Sequence, residues 1–197
     1  AEAARAETLV AFPYGVDAAR RLAEKSGARV IETRLPVGLE GTSTWLSEIA
    51  RQVGREAEAD RLVAARLGEV VPLIAPMIPR LLAGRRALVA ADPALADGMA
   101  AWLRELGIDV VGPLLRTRRS PVADGATSDP RRWAPERSWD PGVESLRRAR
   151  AEAQGRGGLD VLVASSWEAS LLGADDLPVL EIGFPSVRHR PLVDSPI

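Results

Sequence analysis

Residues 84–115, GRRALVAADPALADGMAAWLRELGIDVVGPLL, decide the fold. Arg86 to Ala91 is an apolar run of strand length. Asp92-Pro93 then sets a carboxylate acceptor before a proline at the first helical position, and Gly107 ends the helix. Inside that helix Leu95, Met99, Trp102, Leu103 and Leu106 recur at i, i+4, i+7, i+8 and i+11, which makes one apolar stripe. Ile108 to Leu115 follows as a second strand. Two strands joined by a helix are predicted to lie parallel with a right-handed crossover. Ligands of such sheets collect at the carboxyl ends of the strands, so Asp92 to Leu95 is the first candidate position.

The same alternation extends outward in both directions. Upstream, Thr8 to Phe12 reads as a strand, Val16 to Lys25 as a helix closed by Gly27, and Ala28 to Leu35 as a second strand. Residues 36–43 read as a turn with two glycines and a cluster of hydroxyls that caps a helix from about Thr44 to Val53. Glu56 to Leu82 is helical in pattern but carries Pro72, Pro76 and Pro79, which predicts a kink or a break near Val71 to Met77. Downstream, Thr117 to Asp140 has no sustained periodicity and reads as a long loop, of the kind that forms a lid or stays disordered. Pro141 to Gly155 reads as a helix, Leu159 to Ala164 as a strand, Ser165-Ser166-Trp167 as the cap of a short helix, and Leu177 to Gly183 as the last strand. About six strands alternating with helices predict an α/β chain with parallel, Rossmann-like (doubly wound) sheets and flanking helices, in parts of two lobes. Residues 1–42 would end one lobe, 43–82 would connect or cover, and 83–197 would form the second lobe, with or without its final helix.

Composition narrows the chemistry. Hydrophobic residues make up 46% of the 197, enough for a sizeable core, and 26 Lys and Arg against 27 Asp and Glu leave a formal charge of −1. No global field then favours nucleic acid or anionic lipid. The chain has no Cys, which removes disulfides, thiolate catalysis and cysteine-ligated clusters from these residues, and one His removes a multi-histidine metal site. No run approaches a membrane span and no signal peptide opens the chain, so the expected location is the cytoplasm. A start without Met and a stop just after a strand signal predict a piece of a longer polypeptide.

The candidate site residues gather at strand ends. Asp92, Ser165, Ser166, Gly183 and Phe184 all lie at strand ends and would face one rim. An Asp or Ser before a helix is most often only its cap, and the functional alternative is that N–H groups at these helix starts converge on an anion or cofactor. Neither the phosphate loop nor the dinucleotide glycine fingerprint is present. His189, between Arg188 and Arg190 with Asp194 as the nearby carboxylate, reads as an interface or anion contact ahead of an acid–base group. Trp45 and Trp102 lie on apolar stripes, which predicts core positions, while Trp133 and Trp139 sit in the long loop, open to a partner.

Leu35 to Trp45, LPVGLEGTSTW, resembles the proline–x–glycine–leucine turn of nitrogenase component 1 proteins, with a threonine opening the helix after it, and so adds Gly38 and Thr42 to the candidates. Gly84-Arg85-Arg86 leading to Ala91-Asp92-Pro93, Leu159 to Ser166, and Glu181 to Pro185 with the basic stretch around His189 are similar to further segments of that family, in the same order. The turn pattern is closest to the beta-type chains. Two positions depart from the family pattern: Ala91 stands where glycine is usual, and Ala164-Ser165 where Gly-Asn is usual. The resemblance implies α/β subunits that pair with a related subunit and receive electrons from an ATP-dependent iron–sulfur reductase. It also implies an iron–sulfur or metal cluster in the full complex, catalytic or in a cofactor-maturation scaffold, with none held by this cysteine-free chain. The residues leave two other readings open: a two-lobed nucleotide-sugar glycosyltransferase, and a small-ligand binding module without catalysis.

Overall fold

The computed structural model describes residues 6–112, 114–116, 137–139, 143–173 and 176–183. The chain divides into two units, Ala1–Ala75 and Pro76–Ile197.

In the first unit β1 (Thr8–Ala11) leads through α1 (Val16–Ser26) to β2 (Arg29–Glu32), and the two strands pair in parallel from Thr8 with Arg29 to Ala11 with Glu32. Gly27 closes α1 as expected, its N–H donating to the Ala23 carbonyl. The turn expected over residues 36–43 is shorter than that and ends at Gly38, which is left-handed at φ 77°. Helix α2 (Gly38–Val53) already begins there, behind an N-terminal Val37 that offers no side-chain acceptor, and the Ser43 hydroxyl donates to the Leu39 carbonyl instead of capping. Trp45, on this helix, is half-buried: its ring stacks on Phe12 at 6.0 Å and its indole N–H donates to Thr33 Oγ1. Helix α3 (Glu56–Ile74) accommodates Pro72 and ends at Ala75, within the stretch where the prolines predict a break.

The second unit opens with a π-helical turn, Ile78–Leu82, and continues into β3 (Arg86–Ala91). Residues 87–91 of β3 are at most 2% exposed. A strand that is apolar at every position, not at alternate ones, belongs in the middle of a parallel sheet covered on both faces. Helix α4 (Pro93–Glu105) follows, with Met99, Leu103 and Leu106 of the predicted stripe buried and Leu95 and Trp102 half-buried. The single strand expected over Ile108 to Leu115 is split into β4 (Asp109–Val110) and β5 (Leu114–Arg116), which pair with the beginning and the end of β3 respectively. Gly112, at φ 75°, bends the chain between them, and the proline that follows has no N–H for the ladder. Residues 137–139 lie within the stretch expected to be a loop, yet they form β6, paired with β5 in parallel. The rest of that stretch lies outside the described residues. A strand as short as Arg-Ser-Trp has no periodicity of its own, so only its partner reveals it.

Helix α5 (Val143–Gly155), β7 (Val161–Ala164), α6 (Ser166–Leu171) and β8 (Val179–Glu181) are the unit's remaining elements among the described residues. Across the sheet the order is β6, β5, β3, β7, β8, with β4 on the β5 side of β3 and every pair parallel. Counting the broken strand once, this is the doubly wound order 3-2-1-4-5, and the winding reverses between β3 and β7. Leu88, Ala90, Leu162 and Ala164 form one face, packed on Leu146 and Ala149 of α5, on Ala169 of α6 and on Leu172 just after it. Arg150, on α5, donates to the carbonyls of Leu172 and Gly173 and pairs with Asp176, fastening α5 to the end of α6.

At the opposite end of the central strands, Asp160 joins β7 to β3. Its carboxylate accepts the Arg86 N–H at 2.8 Å and Arg85 Nη1 at 3.0 Å, while its own N–H donates to the Arg86 carbonyl at 2.9 Å. The Arg86 N–H, and after it the Arg85 side chain, hold this carboxyl below its ordinary range. A carboxyl depressed in the folded state contributes stability above its unfolded pKa, and that contribution is lost as pH falls through the folded value. Asp160→Asn should therefore cost about 1 kcal/mol at neutral pH, since the side chain is partly exposed, and should flatten the acid limb of stability. Urea melts of both proteins across that limb check this; parallel pH profiles would show that Asp160 contributes nothing to it.

Candidate functional site

Ala90 pairs with Ala164 and Ala164 pairs with Glu181, so β3, β7 and β8 leave the sheet side by side. Asp92, Ser165 and Ile182 are the first or next residues beyond those strands, and the Ile182 N–H donates to the Ala164 carbonyl. This is the rim at which the winding reverses, where α/β sheets hold ligands.

Each exit is built locally. Asp92 takes an extended conformation before Pro93, its Oδ1 accepts the Ala94 N–H at 2.9 Å, and its carbonyl accepts the N–H groups of Leu95 and Ala96. At the end of β7, Ser165 Oγ accepts the N–H groups of Trp167 and Glu168 and donates back to Glu168 Oε2. Ser-x-x-Glu is a capping box in spacing, although here the carboxylate binds the capping hydroxyl. Ser165, Ser166 and Glu168 are all at least nine-tenths buried, whereas Trp167 stands 55% exposed on the same turn. The Ser166 carbonyl accepts the Ser170 hydroxyl. At the third exit a Cβ on Gly183 would come within 3.2 Å of Leu95 Cδ1, so the chain leaving β8 runs against the first turn of α4.

The structure thus brings Asp92, Ser165, Ser166 and Gly183 to one rim. Gly38 and Thr42 lie in the first unit, inside the opening turns of α2, with Thr42 exposed. Phe184 and His189 lie outside the described residues. Glu168 escaped the sequence reading although its spacing from Ser165 was a usable signal. A carboxylate in this short apolar segment is buried because it has a hydroxyl partner, and burial is not written in spacing alone.

The electrostatics of the rim are those of occupied caps. Asp92 and Ser165 already hold N–H groups of α4 and α6, and Glu168 stands against the second cap. A phosphate approaching either helix start would have to displace a side chain of the same sign or of equal hydrogen-bonding capacity. That weighs against the nucleotide-sugar reading. An open groove on the sheet face away from α5 has a largely apolar lining that includes Trp102, Leu103, Leu106, Val161, Val163 and Leu180, together with the ion-paired Arg85 and Asp160. Among the described residues no group of three or more His, Cys, Asp or Glu side chains is placed to hold a metal ion, and no helix is long and apolar enough to cross a membrane.

Comparison with known proteins gives three concordant results. The profile of the family described as Nitrogenase component 1 type Oxidoreductase matches residues 1–196. The beta chain of the nitrogenase vanadium-iron protein of Trichormus variabilis is 24% identical over 191 residues, covering 93% of this chain and 40% of its own. A solved structure described as Nitrogenase Cp1 at pH 6.5 superposes with a TM-score of 0.65 at 14% identity, again over 93% of this chain and 40% of that one. The chain therefore spans about two-fifths of the length of the relatives it matches, and the last comparison speaks for the fold alone.

Proposed function

Because the chain belongs to the nitrogenase component 1 type oxidoreductase family, we propose that it is part of a beta-type component-1-like subunit or of a cofactor-assembly scaffold. In this reading it works in the cytoplasm, in nitrogen fixation or a related reduction. Residues 1–42 end one lobe, 43–82 connect, and 83–197 form the second lobe. It contributes an interdomain cleft and a subunit interface to ATP-coupled electron transfer, alongside a paired nitrogenase-like subunit and a transiently bound ATP-dependent iron–sulfur reductase. The observation that carries the proposal is the family match across residues 1–196, which takes in both units and every candidate residue.

Within the second unit the candidate surface is the rim of Asp92, Ser165, Ser166 and Gly183. Gly38 and Thr42 are its counterparts in the first, and Phe184 and His189 extend it along the sequence. The family implies an iron–sulfur or metal cluster in the full complex, and the donors of this chain do not fit a cysteine-ligated one: it has no Cys and a single His. The cluster's ligands then come from elsewhere in the assembly, and this chain's residues shape and pack instead of ligating.

Two measurements test the proposal. Purified by itself, the chain should be colourless; a visible absorption band from bound iron would overturn the assignment of the ligands elsewhere. Co-expressed with its paired subunit and the family's cofactor-assembly machinery, it should copurify in a stoichiometric, coloured complex. If that complex forms without it, the subunit reading fails.

A further inference from the structure

Helix α6 carries the middle of the rim, and it is too short to hold itself in place. Its 6 residues make fewer than two turns, far below the length at which an isolated helix is stable. Two attachments hold it. At the amino end Ser165 Oγ accepts the Trp167 and Glu168 N–H groups and donates to Glu168 Oε2. At the carboxyl end the attachment comes from α5: Arg150 Nη1 donates to the Leu172 carbonyl at 2.6 Å and to the Gly173 carbonyl, Arg150 Nη2 pairs with Asp176, and Arg147 Nε reaches the Leu171 carbonyl at 3.3 Å. Carbonyls at a helix end lack intrahelical donors and carry the negative pole, so a guanidinium suits them. The Arg150 side chain is only 13% exposed, and its Nε is buried without a partner among the described residues. Leaving a buried N–H unpaired is costly, and the bonds at the other two nitrogens offset that cost.

Glu168 joins the two attachments. Its side chain bonds Ser165, its carbonyl accepts the Leu172 N–H at 2.9 Å, and the Leu172 carbonyl in turn accepts Arg150. A run of hydrogen bonds therefore crosses the helix from α5 to the rim, a contiguous network of the kind that lets one end set the other. Resting on the reading of this rim as the functional surface, we infer that Arg150 is a positioning residue for it. From α5 it fixes where α6 lies, and with α6 the Ser165 cap and the exposed Trp167. Lysine cannot replace it, because an ammonium is a single point whereas the planar guanidinium reaches two carbonyls and a carboxylate at once.

Amide hydrogen exchange resolved by residue, on the full chain and its Arg150→Lys variant, tests the inference. Leu88 and Val89, fully buried in β3, serve as internal references. In Arg150→Lys the amides of Leu172 and Gly173 at one end of α6, and those of Trp167 and Glu168 at the other, should all exchange at least about tenfold faster, with Leu88 and Val89 unchanged. Acceleration confined to Leu172 and Gly173 overturns the inference, because Arg150 would then only stop the last turn from fraying. So does unchanged exchange along α6. Equal acceleration at α6 and at Leu88 and Val89 overturns it too, since the arginine would then support the whole unit and not the rim. If Arg150→Lys does not fold, Asp176→Asn, which weakens the exposed arm of the same guanidinium, carries the test by the same pattern at about threefold or more. The measurement needs no partner subunit, so its failure leaves the family-based functional reading untouched.

Discussion

Leu88→Ala should lower the unfolding free energy of the second unit by about 3–5 kcal/mol, in the upper range for a leucine truncation in a core that cannot collapse. Leu88 is fully buried at the centre of β3 and belongs to the cluster of Leu146, Leu162 and Leu172. β3 is hydrogen-bonded on both sides, to β4 and β5 on one and to β7 on the other, so the backbone has little freedom to move into the space left behind. The check is a denaturant melt of each protein, with Leu180→Ala as the comparison. Leu180 is 40% exposed on β8, and its truncation should cost less than about 1 kcal/mol. Equal losses at the two positions would mean that the sheet centre is not the seat of stability. A loss of this size consumes a large share of the stability of a domain and should show in soluble yield as well.

Gly107→Val should cost about 2–5 kcal/mol, for two reasons that add. Gly107 sits at φ 75°, in the left-handed region where a β-branched residue is strained. A Cβ there would also stand 3.3 Å from Ala83 Cα, backbone that cannot easily swing aside, and in ordinary contact with Ile78 Cγ2, which a branched side chain would crowd. The Gly84 N–H donates to the Gly107 carbonyl, so the residue ending α4 also orients the entry to β3. Unfolding of Gly107→Ala beside Gly107→Val separates the two causes. Alanine brings the backbone strain and the first contact, and valine adds the branch. A valine variant within a few tenths of a kcal/mol of wild type would show that the turn rearranges freely.

Both substitutions lie in the stretch from Gly84 to Leu115, and what could be foreseen there differs between them. Gly107 was legible as a helix stop because a glycine after an apolar stripe is a local signal. Its tight approach to Ala83 was not, since that contact is made by a residue more than twenty positions earlier. Leu88 was legible as buried, because a run with no polar alternation belongs to a covered parallel strand. Asp92 was legible as a cap, and the structure shows it bonding the Ala94 N–H. The split of the second strand at Gly112, the strand formed by residues 137–139, and the start of α2 at Gly38 were not. In the first two cases pairing with a neighbouring strand decides the element; in the third a helix starts at Gly38, itself left-handed at φ 77°, and continues through Gly41.

The candidate rim divides along the same line. That Asp92, Ser165, Ser166 and Gly183 lie at strand ends is a property of the sequence alone. That they share one rim follows from strand order: β3 and β7 are neighbours although about seventy residues separate them, and the winding reverses between them. Strand order is set by which faces the crossover helices cover, a long-range balance of burial that no local window contains. The chemistry at that rim, Ser165 bonded to a buried Glu168 beside an exposed Trp167, likewise needed the fold. The sequence by itself determined the α/β alternation, the family, and the absence of thiolate ligands, because periodicity, motif order and composition are written locally. Only the tertiary structure decided strand order, the broken second strand and the fastening of α6 to α5, because each depends on which distant segment supplies the partner for a backbone hydrogen bond.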